Sequence, residues 1–178
     1  MSTRPTNASV PLAPHATPAS VDAPQEPVRT LRIERRIEID APPEVVFDAI
    51  LEEMGPGSVL PDGRSMQMRV EAWPGGRWFR DLGDGRGHLW GHVQVIKPPT
   101  LLELCGPMFM SYPAANFVQY RVTQAPGGGS VLELVHRAMG LLLSEHTEGV
   151  AMGWEHGLGM IRSRAERAAG GGPSVRTV

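Results

Sequence analysis

Hydrophobic and polar positions alternate with two different periods along the chain, and these periods predict its strands and helices. Apolar residues occupy every second position in "LRIERRIEID" (31–40), which is typical of a strand with one buried face. The next segment, "APPEVVFDAILEEM" (41–54), has prolines where a first helical turn tolerates them and an apolar stripe beyond. The pattern therefore begins with a strand followed by a short helix.

Several short alternating segments follow, and turns rich in glycine and proline separate them. We predict about six strands, in or near "SMQMRVEA", "RWFRDL", "HLWGHVQVI", "TLLELC", "NFVQYRVTQ" and "SVLELVHRA". The first of these would place Met66, Met68 and Val70 on one face. With the long helix that closes the chain, this order predicts an α+β fold, a curved antiparallel sheet of about seven strands packed against that helix.

Glycines interrupt this last helix at a regular spacing, at Gly149, Gly153 and Gly157. Each glycine costs a helix about 1 kcal/mol relative to alanine. At 100° per residue the apolar positions still form one stripe, with Trp154 at its middle, and the glycines flank it. They either let the sheet approach the helix backbone or leave volume open. We prefer close packing.

The two ends of the chain have a different composition from the middle. Residues 1–27 are rich in Pro, Ala, Ser and Thr and contain almost no large apolar side chains, so we expect a disordered tail. The end from 170 to 178 is expected to be a flexible tail as well. The predicted folded domain is 28–169.

Composition and charge exclude several classes of protein. The 178 residues carry a net charge of −2 without a long basic run, so we expect no nucleic-acid partner. The single cysteine, Cys105, forms no internal disulfide, which is typical of a reducing compartment. We find no secretory signal and no apolar stretch long enough to span a membrane, and we therefore expect a cytoplasmic protein.

Five segments occur in the order seen in the SRPBCC (START-like) superfamily: "IDAPPEVVFDAI", "WPGGRWF", "GHVQVIKPP", "VLELVHRAMG" and "HTEGVAMGW". The chain most resembles the branch named for the C-terminal domain of the heat-shock protein 90 ATPase activator. The resemblance covers nearly all of 28–169 and implies a helix-grip fold, in which a curved sheet wraps the long C-terminal helix. It also implies a hydrophobic cavity between them. Members include lipid and hormone carriers, polyketide cyclases and aromatases.

The chain departs from this branch after the first helix. Relatives often carry an aromatic, commonly Trp-Trp, segment there, whereas "EEMGPGSVLPDGRS" (52–65) contains no aromatic residue. We therefore expect a different cavity mouth.

Eight residues are candidates for the cavity wall: Arg35, Met66, Met68, Trp78, Tyr120, His136, Gly153 and Trp154. His136 shares a strand face with two leucines, so it is either a hydrogen-bonded structural histidine, which we favour, or a polar anchor or general base for a ligand. Arg35 lies among apolar residues and must pair with a carboxylate, which we favour, reach solvent or bind an anionic group. The hydroxyl of Tyr120 could join such a polar set.

Metal and cofactor chemistry finds no support in the sequence. His88 and His92 are four apart on a strand, roughly 13 Å from each other, too far to share one ion. The Gly pairs in "PGGR" and "PGGG" are turns, because neither opens a helix after a strand. We expect Cys105 to be a small core or rim residue, no metal and no cofactor.

Three functions remain open. The leading hypothesis is a protein that binds a hydrophobic small molecule between sheet and helix. The second is an enzyme of the cyclase or hydrolase type that uses His136 and Arg35, although we lean against an enzyme. The third is an interaction module that regulates a chaperone ATPase, with an unknown protein partner.

Overall fold

The elements follow the order that the sequence predicts. The computed structural model describes residues 26–60, 62–108 and 112–170. Its elements are β1 (Arg29–Ile39), α1 (Pro43–Met54), β2 (Met68–Val70), β3 (Arg77–Asp81), β4 (Gly87–Lys97), β5 (Leu101–Gly106), β6 (Ala114–Gln124), β7 (Ser130–Gly140) and α2 (Ser144–Gly170). The α+β prediction is confirmed. The predicted tails lie outside the described residues, except for 26–27 and Gly170.

All seven strands form one antiparallel sheet in the order β1-β7-β6-β5-β4-β3-β2. Each strand pairs with its neighbour in sequence, except that β1 returns to pair with β7 along its whole length. The register shifts at Trp78/Phe79 in β3 and at Val93/Val95 in β4. Such irregularities increase twist and bend a sheet. The curved sheet and the long C-terminal helix α2 together make a helix-grip fold.

The predicted apolar stripes of both helices form the core. Val46, Phe47 and Ile50 of α1 are at most 2% exposed. The buried residues of α2 are those that the sequence pattern groups into one stripe: Val150, Trp154, Leu158, Ile161 and Ala165. Both helices therefore turn the predicted faces inward.

One strand is shorter than predicted. Strand β2 begins at Met68, so Met66 does not share a strand face with Met68 and Val70 as the alternating pattern suggested. The cause is Gln67, whose φ of 55° is left-handed and breaks the strand's alternation. Met66 is thereby released from the sheet into the segment between α1 and β2.

Candidate functional site

A cavity of about 720 Å³ lies between the inner face of the sheet, the segment after α1 and the N-terminal half of α2. Most of its lining is apolar or aromatic. The lining residues are Glu53, Met54, Ser58, Val59, Leu60, Met66, Trp78, Trp90, Tyr120, Glu145, His146, Gly149, Val150, Met152, Gly153, Trp154, His156, Gly157 and Ile161. Its volume is in the range of small-molecule sites in proteins.

The glycine strip of α2 borders this cavity. Gly149, Gly153 and Gly157 all line it, and a Cβ added at any of the three would meet no atom within 4 Å outside the local helix. The preference for close packing of the sheet onto these glycines is therefore wrong. No side chain or strand packs against these three glycines, and the strip borders open volume.

Two tryptophans, Trp78 of β3 and Trp90 of β4, form an aromatic wall of the cavity. The indole Nε1 of Trp78 donates a hydrogen bond of 2.9 Å to the carbonyl oxygen of Met54, at the end of α1. Helix ends leave carbonyl groups without helical partners, so this bond satisfies one of them and fixes the ring. Trp90 meets Trp78 edge-on, with the ring centroids 4.9 Å apart. The wall is thus both apolar and held in place.

A buried chain of hydrogen bonds connects α2 to the sheet. Trp154 Nε1 donates to His136 Nδ1 at 3.0 Å, and His136 Nε2 lies 2.8 Å from Asn116 Oδ1. Because Nδ1 accepts, the neutral imidazole carries its proton on Nε2 and donates to Asn116. Asn116 Nδ2 in turn donates to the carbonyl oxygens of Gly106 and Pro107. Both nitrogens of the imidazole are therefore engaged.

This environment keeps His136 neutral. The side chain is 0% exposed, and burial lowers its pKa to about 4, because desolvation penalises the charged form. A general base must offer a nitrogen lone pair to the substrate. With Nδ1 occupied by Trp154, the observed geometry supports the structural interpretation of His136.

Tyr120 and Glu53 supply polarity inside the cavity. Tyr120 is 3% exposed and meets Trp154 edge-on at 6.2 Å. Burial raises its pKa far above the ordinary value, and the nearby charge of Glu53 adds to the effect. Burial also raises the pKa of Glu53, although its hydrogen bond to Arg164 opposes that shift. The tyrosine is therefore a neutral hydroxyl group at any physiological pH.

The segment after α1, in which the chain departs from the resembled branch, forms one side of the cavity. Ser58, Val59 and Leu60 line the cavity there, together with Met66, so a serine and aliphatic side chains take the place of the aromatic segment that the resembled branch often carries. Arg164 holds this segment to α2: its guanidinium donates to Glu53 Oε2 and to the carbonyl oxygen of Gly57, both at 2.9 Å. The segment after α1 is thus fixed to α2 at Gly57.

Five of the eight sequence candidates lie on the lining: Met66, Trp78, Tyr120, Gly153 and Trp154. The other three do not. Met68 is 3% exposed in the core, and His136 is fully buried and hydrogen bonded to Trp154. Arg35 binds Glu155 of α2 at 2.8 Å, so it has the carboxylate partner that the sequence analysis favoured and does not line the cavity.

The sequence analysis missed the polar lining residues Glu53, Ser58, Glu145, His146 and His156, and it missed Asn116, the partner of His136. Val118 pairs directly with His136, and Asn116 is two residues away along β6, at the diagonal distance that long side chains bridge. The predicted hairpin between β6 and β7 carried that signal. The sequence contains no signal for Glu53, because a second glutamate near the end of a helix is usually a solvent-exposed residue.

Among residues 26–60, 62–108 and 112–170, no cluster of three or more His, Cys, Asp or Glu side chains is arranged to hold a metal ion. Within the same ranges, no helix has the length and apolar character needed to cross a membrane.

Comparison with known proteins supports the fold. No protein-family model and no curated protein matches the chain, but many solved structures do. SA2116 from Staphylococcus aureus, a protein of unknown function, is 12% identical with a TM-score of 0.58, over 79% of this chain and 96% of that one. MLL2253 from Mesorhizobium loti is 19% identical with a TM-score of 0.54, over 78% of this chain and 98% of that one.

A third similar structure is BexL, the di-domain ARO/CYC from the BE-7585A biosynthetic pathway. It is 18% identical with a TM-score of 0.55, over 81% of this chain and 51% of BexL. The chain thus spans about half of that di-domain protein. At these identities the likeness shows the fold alone, a helix-grip fold that the chain shares with this ARO/CYC di-domain and with proteins of unknown function.

Proposed function

We propose that this protein binds a hydrophobic small molecule in the cavity between its sheet and α2. The observation that carries the proposal is the glycine strip, where three helical positions lack a side chain and border an open cavity of about 720 Å³. A helix that only closed a core would gain stability from alanine at these positions. Glycine at these positions keeps the volume open, which is useful if a ligand occupies it.

The apolar lining supports this function. Trp78, Trp90 and Trp154 give broad flat surfaces, while Met54 and Met66 are flexible side chains that adapt to the shape of a ligand. Binding sites for small molecules are typically apolar with a few polar groups that orient the ligand.

Occupation of the cavity can be tested by titrating the protein with N-phenyl-1-naphthylamine, a neutral fluorescent probe. The wild type should bind it, and Gly153→Leu should weaken binding about tenfold or more, because the new side chain occupies the space beside Trp154. Gly159→Leu is the matched control: Gly159 has the same open surroundings on α2 but does not line the cavity. Equal affinity in both variants would refute the proposal.

A second candidate is an enzyme of the cyclase type, favoured by the structural likeness to the ARO/CYC di-domain. The residues first considered for it, His136 and Arg35, are engaged with Trp154 and Glu155 instead. An enzyme would have to use polar groups that do line the cavity, among them Tyr120, Glu53, His146 and His156. Turnover of an aromatic substrate that Tyr120→Phe abolishes, while His136→Gln in a folded protein retains it, would favour this function.

The finer branch assignment, and with it a role in regulating a chaperone ATPase, rests on the sequence resemblance. A pull-down with the chaperone tests it.

A further inference from the structure

We propose that the cavity selects neutral ligands carrying a carbonyl oxygen, which accepts a hydrogen bond from Tyr120, and that it rejects carboxylates. This inference rests on the proposed binding function and specifies the chemical class of the ligand. It follows from one unused hydroxyl group and from the distribution of charge around the cavity.

The hydroxyl of Tyr120 is the unused group. Tyr120 is only 3% exposed and lines the cavity. Among the residues that the structure describes, none forms a hydrogen bond with this hydroxyl. The neighbouring polar groups are committed elsewhere, since the Trp154 indole donates to His136 and the Glu53 carboxylate accepts from Arg164. A ligand oxygen that reaches this hydroxyl in the cavity would accept a hydrogen bond that no described protein group takes, and would gain affinity from it.

The charge around the cavity determines which oxygen fits. Two carboxylate residues, Glu53 and Glu145, line the cavity, and in the described part of the chain no lysine or arginine does. Arg164 contacts a lining residue and carries a positive charge, but its guanidinium is bound to Glu53 and to the carbonyl of Gly57. His146 and His156 also line the cavity, but both occupy exposed positions of α2, where solvent screens their interaction with a buried group. A ligand carboxylate beside Tyr120 would lose its hydration, and the guanidinium of Arg164 is already paired with Glu53 and does not compensate the added charge.

Tyr120 also remains a donor over the whole working range of pH. Burial and the charge of Glu53 both hold its pKa well above the ordinary range, so the hydroxyl keeps its proton. A neutral ketone, aldehyde, ester or quinone accepts that proton in a hydrogen bond without bringing a charge into the cavity.

Three matched ligands test the selection: 2-ethylnaphthalene, 2-acetylnaphthalene and 2-naphthoic acid have nearly the same shape and differ in the polar group. Each is used to displace N-phenyl-1-naphthylamine from the wild type, from Tyr120→Phe and from Tyr112→Phe. The last variant is the control, because it removes a tyrosine hydroxyl without a partner at a residue that does not line the cavity.

We expect the ketone to bind best and the acid about tenfold or more below it. Tyr120→Phe should weaken the ketone roughly three- to tenfold, the range of one net hydrogen bond, and leave the hydrocarbon unchanged. Tyr112→Phe should alter none of the three. An acid that binds as well as the ketone would overturn the inference, and so would a Tyr120→Phe variant that binds the ketone like the wild type. Failure of the fluorescent probe and the hydrocarbon to bind at all would instead refute the proposed function, and this inference with it.

Discussion

The two halves of α2 differ in how closely the rest of the molecule packs around them. In the N-terminal half, Gly149 and Gly153 look onto open volume, and added Cβ atoms would touch nothing. In the C-terminal half, Leu158 is 3% exposed and Ala165 0%, so the apolar face of the helix is packed against the core there. One helix therefore closes the core at one end and leaves a cavity at the other.

Each half is also attached differently. The N-terminal half is anchored by Trp154, which is hydrogen bonded to His136 inside the sheet. The C-terminal half is held by packing and by Arg164, which binds Glu53 of α1 and the carbonyl of Gly57. A segment weakened by glycines can stay helical because its cost, about 1 kcal/mol at each glycine, is offset by one well-buried anchor and by continuity with a tightly packed half.

The largest effect is expected from removing the anchor of the glycine-rich half. Trp154→Ala should lower the free energy of unfolding by roughly 3–5 kcal/mol, because it deletes a buried ring and leaves His136 Nδ1 without its donor. Urea denaturation measures the change. Trp73→Ala, at a ring that is 56% exposed, should stay within about 0.5 kcal/mol of the wild type. A stable Trp154→Ala protein would mean that the sheet does not hold this half.

Acid should loosen the same anchor. The pKa of His136 falls from 6.5 in the unfolded chain to about 4 in the folded one, so between these values only the unfolded state takes up the proton. Stability should therefore decline as the pH drops from about 6.5 toward 4, by at most about 3 kcal/mol.

Urea midpoints collected across that window test the decline in the wild type and in His136→Gln. The variant should be less stable but should lose the histidine's part of the slope. The raised pKa of Glu53 acts in the opposite direction in both proteins and cancels in the difference. Identical slopes would contradict a neutral, buried His136.

Leucine substitutions separate the two halves directly. Ala165→Leu adds volume where the surface is covered, and overpacking should cost roughly 1–3 kcal/mol. Gly153→Leu adds more volume beside the cavity, where nothing lies within 4 Å, and should not destabilise the protein. Thermal unfolding compares them. The contrast between the halves fails if both variants lose stability alike.

The smallest expected effect is a gain. Gly153→Ala should raise the free energy of unfolding by up to about 1 kcal/mol, since it adds helix propensity without a clash. Gly159→Ala should give a similar gain, while only the change at Gly153 narrows the cavity. A loss of stability at Gly153 would restore the close-packing interpretation that the structure contradicts.

Periodicity in the sequence was enough to predict which residues become strands and helices. The α2 stripe from Val150 to Ala165 and the inward face of β7 that carries His136 follow from spacing alone, because side-chain direction repeats every 3.6 residues in a helix and every two in a strand. The order of these elements then predicted an antiparallel sheet with a long helix across it. Where local backbone broke the period, as at Gln67, the sequence pattern misplaced Met66.

The tertiary structure alone decided which faces meet and which stay apart. A missing side chain reads identically in sequence whether a neighbour fills the space or none does, so the glycine strip could not be interpreted until the sheet and the segment after α1 were in place. The partners of His136 and Arg35 likewise come from other elements: Asn116 of β6 and Trp154 of α2 for His136, and Glu155 of α2, 120 residues away, for Arg35. Spacing records the direction of a side chain, whereas its partner depends on the packing of distant segments.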